Sequence, residues 1–154
     1  MQIKQIKNFT IRNFRRDDEA GVIALWQQAG LIVPWNNPKT DIERKHEDSP
    51  DLFFIGELGN ELVATCMAGF DGHRGWIYFL AVNNSQQRKG LATILVSHVE
   101  SELAKIGCPK IDLMVRNTND SVLAFYKSLG YELDPVVVMS KRLRADEKHA
   151  WVND

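Results

Sequence analysis

The run WIYFLAV at positions 76–82 restricts the fold more than any other stretch of this chain. It follows Gly75 and is almost wholly apolar, the pattern of a strand covered on both of its faces. Such a strand belongs at the centre of a sheet, and the neighbouring sequence supplies that sheet. Residues Phe9 to Phe14 alternate apolar and polar, as a half-buried strand does. Leu52 to Leu58 and Glu61 to Phe70 read as two strands around Gly59-Asn60, a pair suited to a tight hairpin turn. A second turn at Asp71 to Gly75 then leads into the apolar run.

Helices fill the remaining segments. Asp17, Asp18 and Glu19 supply negative charge where a helix begins, Val22, Ile23, Trp26 and Ala29 recur at helical spacing, and Gly30 closes it. From Leu31 to Pro50 the pattern is irregular. Pro34 and Pro38 break any long helix, and the charged run from Lys39 to Asp48 allows one or two helical turns. Trp35 is either an aromatic on a solvated connector or a wall of a substrate pocket. Leu91, Leu95, Val99, Leu103 and Ile106 mark a second amphipathic helix, stopped by Gly107 and Pro109. Ile111 to Val115 is a short strand. Asn119 or Asp120 caps a helix carrying Val122, Phe125, Tyr126 and Leu129, and Val136 to Met139 reads as a last strand. Residues 1–143 therefore form one domain, which suits a chain of 154 residues. Residues 144–154 are a polar, loose tail in which Trp151 alone suggests docking.

Composition excludes several functions. A net charge of −1 argues against a general nucleic-acid binder, which needs a strongly cationic face. The two cysteines, Cys66 and Cys108, form no CxxC, and no Cys/His cluster has zinc-site spacing. They read as two buried free thiols, with a single disulfide as the alternative. Met1 to Thr10 has no apolar run of signal-peptide length, and no stretch approaches a membrane span, so a cytoplasmic location is expected.

Gln87-Arg88-Lys89-Gly90-Leu91-Ala92, between the apolar strand and a helix, is either a charged solvated turn or an anion site. A helix beginning there directs unpaired N–H groups and a partial positive charge at one point, which suits a phosphate. Gly90 lets the backbone approach closely, Ala92 keeps the first turn thin, and Arg88 and Lys89 add charge. This is neither a Walker loop nor a GxGxxG fingerprint.

The pattern [QR]xxGx[GA], met here by Gln87, Gly90 and Ala92, resembles the pyrophosphate-binding motif of the GNAT superfamily of acyl-CoA-dependent N-acetyltransferases. Downstream, Asn117, Asn119 and the segment Ala124-Phe125-Tyr126-Lys127-Ser128-Leu129-Gly130-Tyr131 look like that family's N-x-x-A-x-x-F-Y-x-x-x-G-[FY] helix. The resemblance extends over roughly Phe9 to Leu143. Its style is that of the ribosomal-protein and small-amine acetyltransferases.

The resemblance implies an α/β fold with a mostly antiparallel twisted sheet of six to seven strands, about four helices, and a splay between strands four and five at a bulge. It implies acetyl-CoA as co-substrate, an amine as acceptor, no metal, and a monomer or homodimer. Leu80, Ala81 and Val82 would meet pantetheine and thioester, the Val82 N–H polarising the acetyl carbonyl. Backbone groups from Arg88 through Lys89, Gly90, Leu91 and Ala92 to Thr93 would hold the pyrophosphate, and Asn119 the pantetheine arm. Tyr126 would protonate the departing thiolate. Some members carry a glutamate on strand four, but Trp76 and Tyr78 stand there in this chain. Glu57, Asp71, His73 and His46 remain as possible bases, beside a water relay or capture of neutral amine. A module that binds acyl-CoA without catalysis is the alternative function.

Overall fold

The computed structural model describes residues 5–151. The expectations that touch residues 1–4 and 152–154 lie outside them. Five strands form one sheet in sequential order: β1 (Phe9–Asn13), β2 (Phe53–Leu58), β3 (Glu61–Phe70), β4 (Gly75–Val82) and β5 (Ile111–Leu113). The first four are antiparallel neighbours and β5 joins β4 in parallel. Helices α1 (Glu19–Gln28) and α2 (Pro38–Asp48) cover one face. Helices α3 (Leu91–Lys105) and α4 (Asp120–Ser128) cover the other.

The two faces of β4 account for its apolar sequence. Ile77 and Val82 pack with Leu91, Leu95, Val99 and Tyr126 on the α3 side. Phe79 and Ala81 pack with Val22, Trp26 and Ile42 on the α1 side. A strict two-residue alternation cannot place Ile77 and Val82 on one face. The parity changes because β4 holds one extra residue: Thr65 pairs with Ala81, yet Met67 pairs with Tyr78. At this bulge Phe79 is left-handed, with φ of 51°. A bulky residue there costs about 1–3 kcal/mol. Three contacts offset that strain. Trp26 stacks on Phe79 with ring centroids 4.0 Å apart. The Trp26 Nε1–H donates to Thr65 Oγ1 at 3.0 Å, and the Thr65 hydroxyl donates to the Phe79 carbonyl at 3.0 Å. A stack and two hydrogen bonds together contribute roughly 2–4 kcal/mol.

The sheet has fewer strands than the six to seven expected. The run Val136 to Met139 forms no strand, and its side chains stand in solvent, Val137 88% and Met139 92% exposed. Pro135 removes a ladder donor at its start, the run has no polar alternation to define a buried face, and the three-residue β5 offers little edge to pair with. In the opposite sense, α2 is longer than one or two turns. Pro38 opens it instead of breaking it, behind an Asn37 cap that accepts from the N–H groups of Lys39 and Thr40.

The described part of the tail makes specific contacts with the domain. Asp146 accepts two hydrogen bonds from the Arg44 guanidinium and one from the Asn37 N–H. The His149 ring bonds the Val33 carbonyl, and Trp151 packs against the α1-side core beneath Lys39. Residues 142–151 thus strap the loop before α2 to α2 itself. Both cysteines are free; Cys66 is buried, but Cys108 is only partly so. Among the described residues no helix is long and apolar enough to cross a membrane.

Candidate active site

The parallel pairing of β4 with β5 runs from Gly75–Ile111 to Ile77–Leu113 and stops. From there β4 continues to Val82 with β3 on one side and a gap on the other, so the expected splay is present. The Asn83 N–H bonds the Val63 carbonyl at 2.8 Å, which turns the Asn83 backbone toward β3. Main-chain groups alternate along an antiparallel strand, so Val82 presents its N–H and C=O to the gap. Leu80, two residues earlier, faces the same way, whereas Ala81 pairs with Thr65. The Val82 carbonyl is occupied by the Gln87 side-chain amide at 3.2 Å. Gln87 therefore ties the strand end to the following loop rather than reaching outward.

That loop makes two left-handed turns, at Arg88 with φ of 63° and at Gly90 with φ of 87°. Helix α3 then starts without a side-chain cap. Its first hydrogen bond inside the ladder is from the Ile94 N–H to the Gly90 carbonyl. The N–H groups of Leu91, Ala92 and Thr93 precede it and take no partner from within the helix. Helices α2 and α4 differ, capped by Asn37 and Asn119, whereas α1 also starts without a side-chain cap but away from the gap. An uncapped first turn at the end of a parted strand has the N–H donors that suit an anion. Arg88 is exposed beside it, and Lys89 is held by Gln86 at 2.9 Å.

Tyr126 lies on the gap side, 7% exposed, edge-on to Phe125 and Tyr131. It borders a cavity of about 390 Å³ with Trp76, Leu113, Met114 and Val115. Burial, and then the nearby Cys66, raises its phenol above the ordinary tyrosine value, so it stays protonated. Burial likewise pushes the Cys66 thiol up to about 12 and leaves it inert. The Asn119 side-chain oxygen is committed to capping α4 through Val122, which leaves its amide nitrogen for a ligand.

Across β4, on the α2 side, a second cavity of about 620 Å³ opens. Asp41, Arg44, Lys45 and Asp48 of α2 line it with Asn36, Asp71, Trp76, Tyr78 and Phe79. The bulge explains why Tyr78 and Phe79, though adjacent, both face it. Trp76 and Tyr78 stack with centroids 6.4 Å apart. Arg44 is consumed by Asp41 and Asp146. Burial raises the Asp41 carboxyl above the usual carboxylate range, although its bond to Arg44 opposes this. Burial lowers the Lys45 ammonium, which donates to Ser49 and to the Ala68 carbonyl.

Of the four bases considered from sequence, only Asp71 borders this cavity, at its rim. It binds the N–H groups of His73 and Arg74, which lower its carboxyl. Glu57 is paired with Arg12 on the β1–β2 side, at 2.6 Å. His46 packs edge-on to Phe14 with Nδ1 buried and unpartnered, and His73 sits in the exposed turn. Trp35 is 55% exposed and lines neither cavity; Asn36 takes the place expected of it. Asp41 was hidden in the sequence within a charged run. Its only signal is helical spacing, since Asp41, Arg44, Lys45 and Asp48 share one stripe of α2.

A sheet opened between β4 and β5, with an uncapped helix at the opening, defines the architecture of an acyltransferase. The chain belongs to the acetyltransferase (GNAT) family, which it matches over residues 12–131. It is 46% identical to Acetyltransferase SG1711 of Sodalis glossinidius over 140 residues, 90% of this chain and 99% of that protein. Acetyltransferase ECA0875 of Pectobacterium atrosepticum is 45% identical over 139 residues, with the same shares covered. Among solved structures, Ard1 from Thermoplasma volcanium shares the fold with a TM-score of 0.75 at 22% identity, covering 82% of this chain and 84% of that one. The ribosomal-protein-S18-alanine N-acetyltransferase of Escherichia coli superposes with a TM-score of 0.66 at 25% identity, over 79% and 76% of the two chains. The protein is therefore an acyltransferase of this family.

Proposed function

We propose that the protein transfers the acetyl group of acetyl-CoA directly to a primary amine, with both substrates bound together, in the cytoplasm. The observation that carries this reading is the unpaired end of β4 leading into the uncapped turn of α3. Its N–H groups at Leu91, Ala92 and Thr93, with Gly90 allowing close approach, suit a diphosphate. The Val82 N–H, facing the gap, is the donor for the acetyl carbonyl as it becomes an oxyanion. Leu80 and the amide nitrogen of Asn119 would meet the pantetheine arm. Tyr126, kept neutral by burial, gives its proton to the departing thiolate.

The acceptor enters from the α2 side. Trp76 and Tyr78 offer an aromatic wall to an amine, and Asp41 is the carboxyl best suited to take its proton, directly or through water. A raised carboxyl is a better base than Asp71, whose own turn stabilises its anion. Free thiols at Cys66 and Cys108 agree with a reducing compartment.

The test is a thiol-release screen with acetyl-CoA against polyamines, aminosugars, lysine peptides and peptides with free N-termini, together with crystals soaked in CoA. Amine-dependent thiol release and a diphosphate on residues 90–93 are expected. CoA crystals that leave that turn empty would overturn the reading.

A further inference from the structure

The β4 bulge is held from the face opposite the acyl site, by residues that touch neither cavity. Trp26 and Thr65 are both fully buried, with no exposed surface. Trp26 comes from α1 and Thr65 from β3, so one hydrogen-bonded relay joins a helix, a strand and the bulge carbonyl. Among the fully buried core side chains described, Thr65 is the one that carries a hydroxyl, and valine would fill the same volume. A hydroxyl retained at that position has one visible use, to accept from the indole and donate to Phe79.

Phe79 is where this matters. Its left-handed backbone sets the parity of everything after it on β4, including the orientation of the Val82 N–H toward the gap. With the Met67–Tyr78 pairing kept, a β4 without the bulge would shift Ala81 from Thr65 to Ala64 and rotate the Val82 backbone groups toward β3. It would also move Phe79 off the floor of the α2-side cavity. The bulge therefore couples the acyl donor and the acceptor wall, and the relay fixes the bulge.

We propose that Trp26 and Thr65 are positioning residues for acyl transfer, holding Phe79 in its left-handed conformation through the indole–hydroxyl–carbonyl relay so that the Val82 N–H stays aimed at the thioester. This rests on the acetyl-transfer reading above for its catalytic consequence, but the mechanical part stands without it.

The test compares Thr65→Val, Thr65→Ser and Trp26→Phe with Val99→Ala, a core variant in α3 remote from the bulge. Four quantities are read: kcat with the best amine of the screen, acetyl-CoA KM, melting temperature, and amide hydrogen exchange at Leu80, Ala81 and Val82. Thr65→Val is expected to lower kcat about tenfold, the size of one weakened oxyanion donor or somewhat less. Acetyl-CoA KM stays within about twofold, because the diphosphate turn is untouched. Trp26→Phe follows the same pattern, and Thr65→Ser, which keeps the hydroxyl, returns kcat to within about twofold of the parent. Exchange at the three amides accelerates in Thr65→Val and not in Val99→Ala. The proposal fails if Thr65→Val keeps kcat and those exchange rates. It also fails if Val99→Ala, at equal loss of melting temperature, lowers kcat as much. If no amine supports turnover by the parent protein, the acetyl-transfer reading is what fails. The exchange comparison then still decides whether the relay holds the bulge.

Discussion

The two sides of β4 are built from different materials. Facing α3, nearly every group available to a ligand is main chain: the N–H of Val82 and those opening α3, exposed by a strand that loses its neighbour and a helix that lacks a cap. Facing α2, the cavity is side chain, with residues drawn from position 36 to position 79, and with Arg44 held in place by Asp146. A main-chain site constrains the sequence only where a side chain would obstruct it. A side-chain site constrains every position and can be retuned one residue at a time. The same fold can thus keep one acyl donor and exchange its acceptors.

Tyr126 is the exception on the main-chain side, and removing it is the sharpest way to break the contrast. With Tyr126→Phe the packing against Phe125 and Tyr131 survives while the proposed proton donor is lost. A positioned acid contributes about 10²–10⁴ in rate. We expect kcat to fall about 100-fold, with CoA affinity by calorimetry and melting temperature nearly unchanged. If turnover is retained, that side of β4 is main chain alone.

The contrast is sharpened at Gly90. A Cβ there meets only the Ile6 side chain, at 3.9 Å, so the protein has room for it. The obstacles are the φ of 87° and the approach of a phosphate. Gly90→Val should cost about 1–2 kcal/mol of stability, the price of a left-handed residue. It should also weaken CoA binding roughly 30-fold, about 2 kcal/mol. Gly107→Val is the control, because Gly107 has φ of 89° and nothing within 4 Å, and lies past the opposite end of α3. Equal CoA affinities in the two variants would contradict the phosphate assignment.

The same contrast decides what could be read from sequence. The turn proposed for a diphosphate is a local object, a strand, a short loop and a helix start, so its pattern lies within six residues, Gln87 to Ala92. The apolar run that becomes β4 likewise carries its own proof of burial on both faces. The α2-side cavity has no such signature. Asp41 gains its raised carboxyl from burial beneath segments far away in sequence, and Glu57 and His46 look equally suitable until the fold carries them elsewhere. The Val136 to Met139 run shows the opposite error. Its β-branched residues promise a strand, but a strand needs a partner, and β5 is too short to give one.

Asp41→Asn tests the side-chain face. The raised Asp41 carboxyl must be ionised to accept a proton, so the rate should fall as pH drops through a value above the usual carboxylate range. The substitution should lower kcat/KM about tenfold and flatten that acid limb, with CoA affinity intact. If the limb persists in the variant, a different group or water accepts the proton.

The smallest expected effect concerns the strap that frames the acceptor cavity. Arg44 first, then the Asn37 N–H, lowers the Asp146 carboxyl to about 2. Because its folded value lies below its unfolded value, Asp146 stabilises the fold above pH 4, and this contribution is lost as pH falls from about 4 towards 2. Arg44 is half-exposed, so screening holds the pair to about 1 kcal/mol. Asp146→Asn should therefore lower the melting temperature by a few degrees at pH 7 and by much less at pH 2, where the carboxyl is about half protonated. It also releases Arg44 and the Asn37 backbone beside the cavity. The acceptor KM should consequently rise two- to threefold, while CoA binding, governed by the main chain across β4, does not move. An equal loss at both substrates would mean that the two sides of β4 are not independent, and the contrast between them would fail.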